Sequence, residues 1–270
     1  VLRSLEPNLD LVGVILSMKG QMTPEVLLEA RRIVREVVDR LAEQVRRESE
    51  PALFGARDQR SSRVVRTFRN ADWPATIRKN LRHWDTERRR LVAPRITFRH
   101  RQRSRPLWRI VLAVDQSGSM VEGMIHAAIT AAILASVPSL SVHLVLWDDR
   151  FVDLTDKVRD PLEVLLASQL GGGTRLFPAL QYCAGLVTEP DRTVLAVVSD
   201  WYVHDPVEPS LGLARELATA GVRCFGFSSL GSDARGAYDE RFARRLVDAG
   251  WWVGAVTPRE LAARIGRLLG

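Results

Sequence analysis

The chain has 270 residues, 46% of them hydrophobic and 26% charged, which is the composition of an ordinary globular protein. Such a length buries roughly three quarters of the unfolded surface, so we expect one large domain or one domain with an appendage. The sequence has no apolar run near the roughly 18 residues that cross a bilayer, and we expect no signal peptide. Only Cys183 and Cys224 are present, which argues against a disulfide scaffold and favours the cytoplasm.

The net charge of +7 is unevenly distributed along the chain. Residues 1–110 contain 25 Lys and Arg against 13 Asp and Glu, whereas residues 111–270 contain 14 against 19. Arginines are densest between Arg57 and Arg109. A basic N-terminal part therefore precedes a mildly acidic remainder.

The N-terminal part is predicted to be mainly helical. The first twenty residues have helical tendency, and Thr23-Pro24-Glu25 is a strong helix start. Apolar residues at helical spacing continue to Val45, which predicts an amphipathic helix of about seven turns that Pro51 and Gly55 close. Residues 56–70 are polar and basic and are predicted to form a loop.

Two shorter elements are predicted before the chain changes character. Residues 72–84 suggest a short helix anchored by Trp73 and Trp84, and the alternation of apolar and basic residues over 91–105 favours a strand or extended segment.

From Leu107 onward, apolar strands alternate regularly with helices, which predicts a doubly wound, mostly parallel α/β sheet. We therefore divide the chain into a helical, arginine-rich extension, 1–105, and an α/β domain, 106–270. The predicted strands are Trp108–Val114, Ser141–Trp147, a short antiparallel Phe151–Leu154, Thr193–Ser199, Val222–Ser228 and Trp251–Val256. The predicted helices are Glu122–Ser136, one after Asp160-Pro161, Phe177–Val187, Glu208–Ala220, Asp239–Ala249 and one from Pro258.

The first of these strands ends in an oxygen-rich loop with Asp115, Ser117 and Ser119 at a spacing of two. Carboxylate and hydroxyl oxygens are the ligands that Mg2+ prefers. The same residue types are also common in turns and helix caps, so this loop alone is weak evidence. Thr174 follows three glycines and Asp200 ends another apolar strand, and ligands of doubly wound sheets bind at the carboxyl ends of strands. The five residues together predict a cation site.

This constellation resembles the metal-ion-dependent adhesion site of von Willebrand factor A domains. The resemblance implies that Ser117 and Ser119 bind Mg2+ directly, with Mn2+ or Ca2+ as alternatives, and that Thr174 joins when the site is liganded. Asp115 and Asp200 would act directly or through water. In that family an Asp or Glu of a partner protein occupies the remaining coordination position.

A narrower resemblance covers nearly the whole chain. Residues 76–84, 114–121, 169–174 and 198–200 are similar to the YehP-like and CoxE-like bacterial proteins that accompany MoxR-type AAA+ ATPases. The resemblance implies an adaptor that is not an enzyme and whose partner is such an ATPase. The chain departs from the commoner Asp-Gly after the fourth strand, because Trp201 follows Asp200. Trp201, Tyr202, His204 and Asp205, with 147–150, are predicted to rim the site, although the two tryptophans could equally be core.

Two alternatives remain at this point. The arginine-rich segment, with its interspersed aromatic residues, could bind nucleic acid, with the cation site structural or regulatory. Hydrolysis at the metal is the other, but we find no nucleophile with its base, and Gly171–Thr174 lacks the lysine of a phosphate-binding loop.

Overall fold

The computed structural model describes residues 8–54, 71–91, 93–98, 108–169, 171–228, 238–255 and 257–269. These form two compact units, one from the described residues of 1–56 and 106–270 and the other from those of 57–105. The division differs from the predicted domains 1–105 and 106–270. Its cause is that the first two helices bury their apolar faces in the same core as the sheet.

The larger unit contains a six-stranded sheet of β3 (Trp108–Asp115), β4 (Leu140–Trp147), β5 (Phe151–Asp153), β6 (Thr193–Val198), β7 (Arg223–Phe227) and β8 (Trp252–Gly254). Their order across the sheet is β5-β4-β3-β6-β7-β8. All pairs are parallel except β4–β5, so the predicted antiparallel edge strand is confirmed. The chain leaves β3 toward β4 and later returns to the other side of β3 as β6. The carboxyl ends of β3 and β6 therefore flank the point where the winding reverses, which is where such folds bind ligands.

Helices cover both faces of this sheet. They are α1 (Leu9–Met18), α2 (Pro24–Phe54), α4 (Val121–Ala135), α5 (Pro161–Ala167), α6 (Leu176–Gly185), α7 (Val207–Thr219), α8 (Glu240–Asp248) and α9 (Pro258–Leu269). Side chains of β3 alternate between two cores: Leu112 packs with α1, α2, α4, α5 and α9, whereas Val111 packs with α6, α7 and α8. The predicted α/β fold class is confirmed.

Helix α2 is longer than predicted. It spans 31 residues, and Pro51, which was predicted to help close it, lies inside its last turns. Proline within a helix removes a backbone hydrogen bond and costs about 3 kcal/mol. Leu53, only 3% exposed, joins the core beyond the proline and stabilises the final turn.

Helix α4 is apolar on nearly all sides and lies between the sheet and the outer helices. One stretch of the described residues, 118–135, is long and apolar enough by length and composition to cross a membrane, with 67% of it buried in the protein. The prediction that no run approaches this length is therefore wrong. A core helix that is buried on most sides passes the same test, because the residues that pack on its neighbours are apolar.

The smaller unit contains α3 (Trp73–Asn80), a following 3-10 turn, and a hairpin of β1 (Trp84–Asp85) and β2 (Arg90–Leu91). The predicted short helix is confirmed, but its anchors differ. Trp73 and Trp84 are 47% and 50% exposed, whereas buried Asn80 donates to the carbonyl oxygens of Thr76 (2.7 Å) and Arg95 (2.9 Å). A polar anchor of this kind has no apolar periodicity by which the sequence would reveal it.

Within the predicted extended segment 91–105, the described residues contain only the end of β2 and a bridge between Ala71 and Phe98. The predicted loop 56–70, the rest of that segment and Gly55 lie outside the described residues.

Candidate metal centre

Asp115 is the last residue of β3 and is fully buried. One carboxylate oxygen, Oδ1, accepts a hydrogen bond from the Ser117 backbone N–H (2.8 Å), and Oδ2 accepts one from the Ser199 hydroxyl (2.7 Å). The first bond closes the sharp turn after the strand, as Asp side chains commonly do. The second joins the ends of the two central strands, β3 and β6. Asp115 thus positions the loop that carries both serines.

The two serines connect Asp115 to Asp200. The hydroxyl oxygens of Ser117 and Ser119 lie 3.3 Å apart, and Ser119 Oγ donates to Asp200 Oδ2 at 2.6 Å. Asp200 is 7% exposed and also accepts a long bond from the Tyr202 backbone N–H (3.3 Å). Four of the five predicted donors, Asp115, Ser117, Ser119 and Asp200, therefore form one continuous cluster of oxygen atoms at the predicted edge.

Thr174, the fifth predicted donor, lies on a neighbouring loop at the same edge. It is 4% exposed, its N–H donates to His204 Nδ1 (3.0 Å), and its carbonyl accepts from the His204 N–H (2.7 Å). The next residue, Arg175, donates its backbone N–H to the carbonyl of Asp148, directly after β4. In the part of the chain that the structure describes, no hydrogen bond joins Thr174 to the other four donors.

The two carboxylates of the cluster carry negative charge that no basic side chain among the described residues balances. The pKa of Asp115 is raised to about 6, mainly by burial and in addition by the charge of Asp200, against the lowering effect of hydrogen bonds from Ser117 and Ser199. Among the described residues, neither Asp115 nor Asp200 has a Lys, Arg or His ion-pair partner. Buried charges require a partner, and a cation bound by these oxygens would be one.

The donor set also limits which ion would fit. Within the described ranges no three His, Cys, Asp or Glu side chains gather as a metal-binding group. The cluster consists of hydroxyl and carboxylate oxygens, which suit hard cations such as Mg2+ and not the softer ions that select imidazole or thiolate. The residues present therefore fit a hard divalent cation.

Trp201 follows Asp200 and does not cover the cluster. Its φ of +66° is in the left-handed region, where glycine is the least strained residue, which accounts for the glycine commoner at this position. The indole ring is fully buried and stacks on Phe242, with ring centroids 6.0 Å apart. A Cβ on Gly226 would lie 2.9 Å from the ring. Trp201 therefore belongs to the core beneath the sheet edge, as does Trp147, whereas Tyr202 and His204 of the predicted rim are exposed.

Three further polar residues organise this edge; Gln116 and Ser199 were not predicted there, whereas Asp205 was predicted to rim the site. Gln116 donates from Nε2 to Asp148 Oδ2 (2.9 Å) and accepts from the Gln169 N–H (3.0 Å), so it joins three loops. Asp205 caps α6, and Ser199 holds Asp115. Gln116 lies within the Asp-x-Ser-x-Ser motif, and its position there is the one sequence signal that could have identified it.

The doubly wound sheet and the oxygen-rich loop at its switch point define a von Willebrand A-type domain. The model of the family described as "VWA domain containing CoxE-like protein" matches residues 41–265. A protein of Escherichia coli (strain K12), "Uncharacterized protein YehP", is 38% identical over 265 residues, which are 97% of this chain and 70% of that protein. The chain therefore belongs to the family of VWA domain containing CoxE-like proteins, and a domain of this type indicates a protein-interaction module.

Solved structures with related folds are more distant. An aerotolerance-related membrane protein from Bacteroides fragilis has a TM-score of 0.47 and 13% identity, over 60% of this chain and 97% of its own. The conserved hypothetical protein BatB from Bacteroides thetaiotaomicron has a TM-score of 0.46 and 12% identity, over 60% and 98%. The family assignment rests on the family model and the YehP relative.

Proposed function

We propose that the chain is a metal-dependent adaptor that binds Mg2+ through Ser117, Ser119 and Thr174, with Asp115 and Asp200 beside them. An Asp or Glu of a partner protein would be the last ligand. The observation that carries this proposal is the pair of buried carboxylates with no cationic partner among the described residues. The ion, when bound, would supply the missing positive charge and a coordination position open to a carboxylate.

The protein's own residues prepare this site. Asp115 holds the Ser117 backbone, and the hydrogen bond from Ser119 to Asp200 holds the second hydroxyl against the second carboxylate. Ser119 and Gly118 are exposed, whereas Asp115 is not. The oxygen cluster therefore opens to solvent on its hydroxyl side, where a partner's carboxylate would approach.

The partner proposed is a MoxR-type AAA+ ATPase, as the family resemblance implies.

Recognition of a partner through an ion requires no reacting group in the protein. We propose that the chain binds its partner and does not catalyse a reaction. Burial raises the pKa of both thiols, Cys183 and Cys224, to about 12, so neither is an activated nucleophile. Both thiols are free and buried, which supports the proposal that the protein acts in the cytoplasm.

Capture of a MoxR-type ATPase on the immobilised chain tests this function. Capture should occur in Mg2+, stop in EDTA, and be lost in the double variant Asp115→Asn with Asp200→Asn. Asp205→Asn is the matched control, since Asp205 is a buried aspartate of the same edge that caps a helix. Undiminished capture in EDTA would falsify the metal-bridged mechanism.

Nucleic-acid binding is the second candidate function, favoured by one observation in the smaller unit. Trp73 and Trp84 are about half exposed, and they flank a helical segment that carries Arg78, Lys79 and Arg82. Exposed rings among cations suit stacking on bases next to a phosphate backbone. An electrophoretic shift of single-stranded RNA that persists at near-physiological salt would support this function, whereas loss of the shift there indicates non-specific electrostatics.

A further inference from the structure

A cleft of about 620 Å³ adjoins the oxygen cluster. Helix α1 forms one wall, the start of α4 forms another, and Gly118 and Gly171 contribute residues without side chains. A Cβ at either glycine would have no atom within 4 Å. The cleft beside the serines therefore has room for a peptide backbone to pass over these two glycines.

Helix α1 is held in place beside this cleft by packing and by one partly buried cation. Val12, Ile15 and Leu16 are at most 1% exposed and belong to the core of the larger unit. After the helix, Lys19 Nζ donates to the carbonyl oxygen of Leu166 at 2.8 Å and also to those of Leu165 and Ser168, at the end of α5. A lysine on the last carbonyls of a helix is favourable both as a donor and toward the helix dipole.

The cleft combines apolar side chains with carboxylates. Val14, 53% exposed, and Val121 line it, together with Asp10 and Glu122. None of the described residues that line the cleft is a Lys, Arg or His. Glu122 is 51% exposed and lies 3.8 Å from Nε2 of His126, whose pKa is lowered by burial, so this neighbour is neutral at pH 7 and leaves the carboxylate uncompensated.

We infer that this cleft receives a lysine or arginine of the partner, close in sequence to the acidic residue that binds the ion; the inference rests on the proposed function. The aliphatic part of such a side chain would pack on Val14 and Val121, and its cation would lie beside Asp10 and Glu122. Complementary charge of this kind selects partners more than it adds affinity. The recognised segment is therefore an acidic residue with a basic neighbour, and not an acidic stretch.

A displayed library of 12-residue peptides with a fixed central Asp and random flanks tests the inference, with selection on the full chain in Mg2+. Peptides bound by the native chain should be enriched about fivefold in Lys or Arg within four positions of the Asp, the range expected for exposed charge pairs. The double variant Asp10→Asn with Glu122→Gln should keep the binding of Asp peptides and lose the basic preference. Both substitutions are isosteric and exposed, and an unchanged Tm verifies the fold.

A control and a third arm separate this inference from the function on which it rests. Glu25→Gln with Asp156→Asn neutralises two exposed acids outside the cleft and should retain the basic preference. If Asp peptides bind in Mg2+ without a basic preference, or with one that the cleft variant keeps, the inference is overturned and the proposed function stands. If no peptide is retained in Mg2+ and released by EDTA, both are overturned.

Discussion

The buried aspartates at one edge of the sheet accept hydrogen bonds from two different kinds of donor. Asp205, 9% exposed, accepts the backbone N–H groups of Leu176 (3.2 Å) and Phe177 (2.7 Å) at the start of α6. Asp115 and Asp200 are at least as buried, but their shortest bonds come from the hydroxyls of Ser199 and Ser119.

This difference distinguishes a structural carboxylate from a candidate ligand. Backbone N–H groups at a helix start satisfy an anion permanently and add the favourable helix dipole. A serine hydroxyl is both donor and acceptor and can rotate, so it can give up its bond to a carboxylate and present a lone pair to a cation. Burial and residue type alone would not separate Asp205 from Asp200.

The largest expected effect is on ion binding. Ser117→Ala combined with Ser119→Ala removes both hydroxyls of the cluster, and we expect the affinity for Mg2+ to fall by at least about 100-fold, with little change in the fold. Titration calorimetry in the absence of partner measures it. Ser136→Ala is the control, because within the described ranges that hydroxyl bonds the carbonyl of Ile133 at the end of α4 and lies outside the cluster. Unchanged Mg2+ affinity in the double variant would place the ion elsewhere.

Asp205→Ala should instead lower the stability of the fold and leave Mg2+ binding intact. The change leaves two N–H groups at the start of α6 without their acceptor, and we expect the free energy of unfolding to fall by about 2 kcal/mol. The rise of Tm on addition of Mg2+ should remain. Chemical denaturation with and without Mg2+ measures both quantities. If Asp205→Ala removes the response to Mg2+, the contrast between the two sets of aspartates is wrong.

Asp115→Asn should stabilise the ion-free protein. The pKa of Asp115 is raised from 3.8 to about 6, so its charged form opposes folding at pH 7, and neutralisation should add about 1 kcal/mol. Because the folded-state pKa is above the unfolded value, this penalty is fully present above pH 6 and disappears as the pH falls toward 4. Denaturation in EDTA at pH 7, 6, 5 and 4 should show the variant's advantage shrinking to zero. A constant difference across this range would contradict the assignment.

The smallest expected effect concerns His126, a buried polar residue of α4, the helix that follows the serine loop. His126 is 4% exposed, and neither ring nitrogen has a hydrogen-bond partner among the described residues. Burial lowers its pKa below 6.5, with partial opposition from Glu122 and Glu48. The unfolded chain therefore takes up a proton that the folded protein resists, and stability is lost as the pH falls below 6.5. His126→Leu should reduce this acid-induced loss by about 0.5 kcal/mol between pH 6.5 and 5, whereas exposed His83→Gln should not.

Much of the fold could be predicted because its signals are local. The apolar runs that end at Asp115 and Asp200 are central strands, and the cap-proline pairs at Asp160 and Thr257 precede helices, as predicted. Pro51 shows the limit of such signals, since a breaker was overridden by burial of the turn beyond it. Thr174 stays a predicted ligand, because its backbone bonds to His204 hold it at this edge and do not involve the serine cluster.

The sequence by itself determined the alternation of strands and helices, the resemblance to one family and the oxygen donors of the candidate site, because each depends on residue types within one element and its flanks. Only the tertiary structure decided which partners these residues meet. It placed α1 and α2 in the core on one face of the sheet and Trp201 in the core on the other face, and it joined Asp115 and Asp200 through Ser117 and Ser119. Burial and hydrogen bonding between residues more than 80 positions apart depend on how the layers pack, and no local pattern encodes that packing.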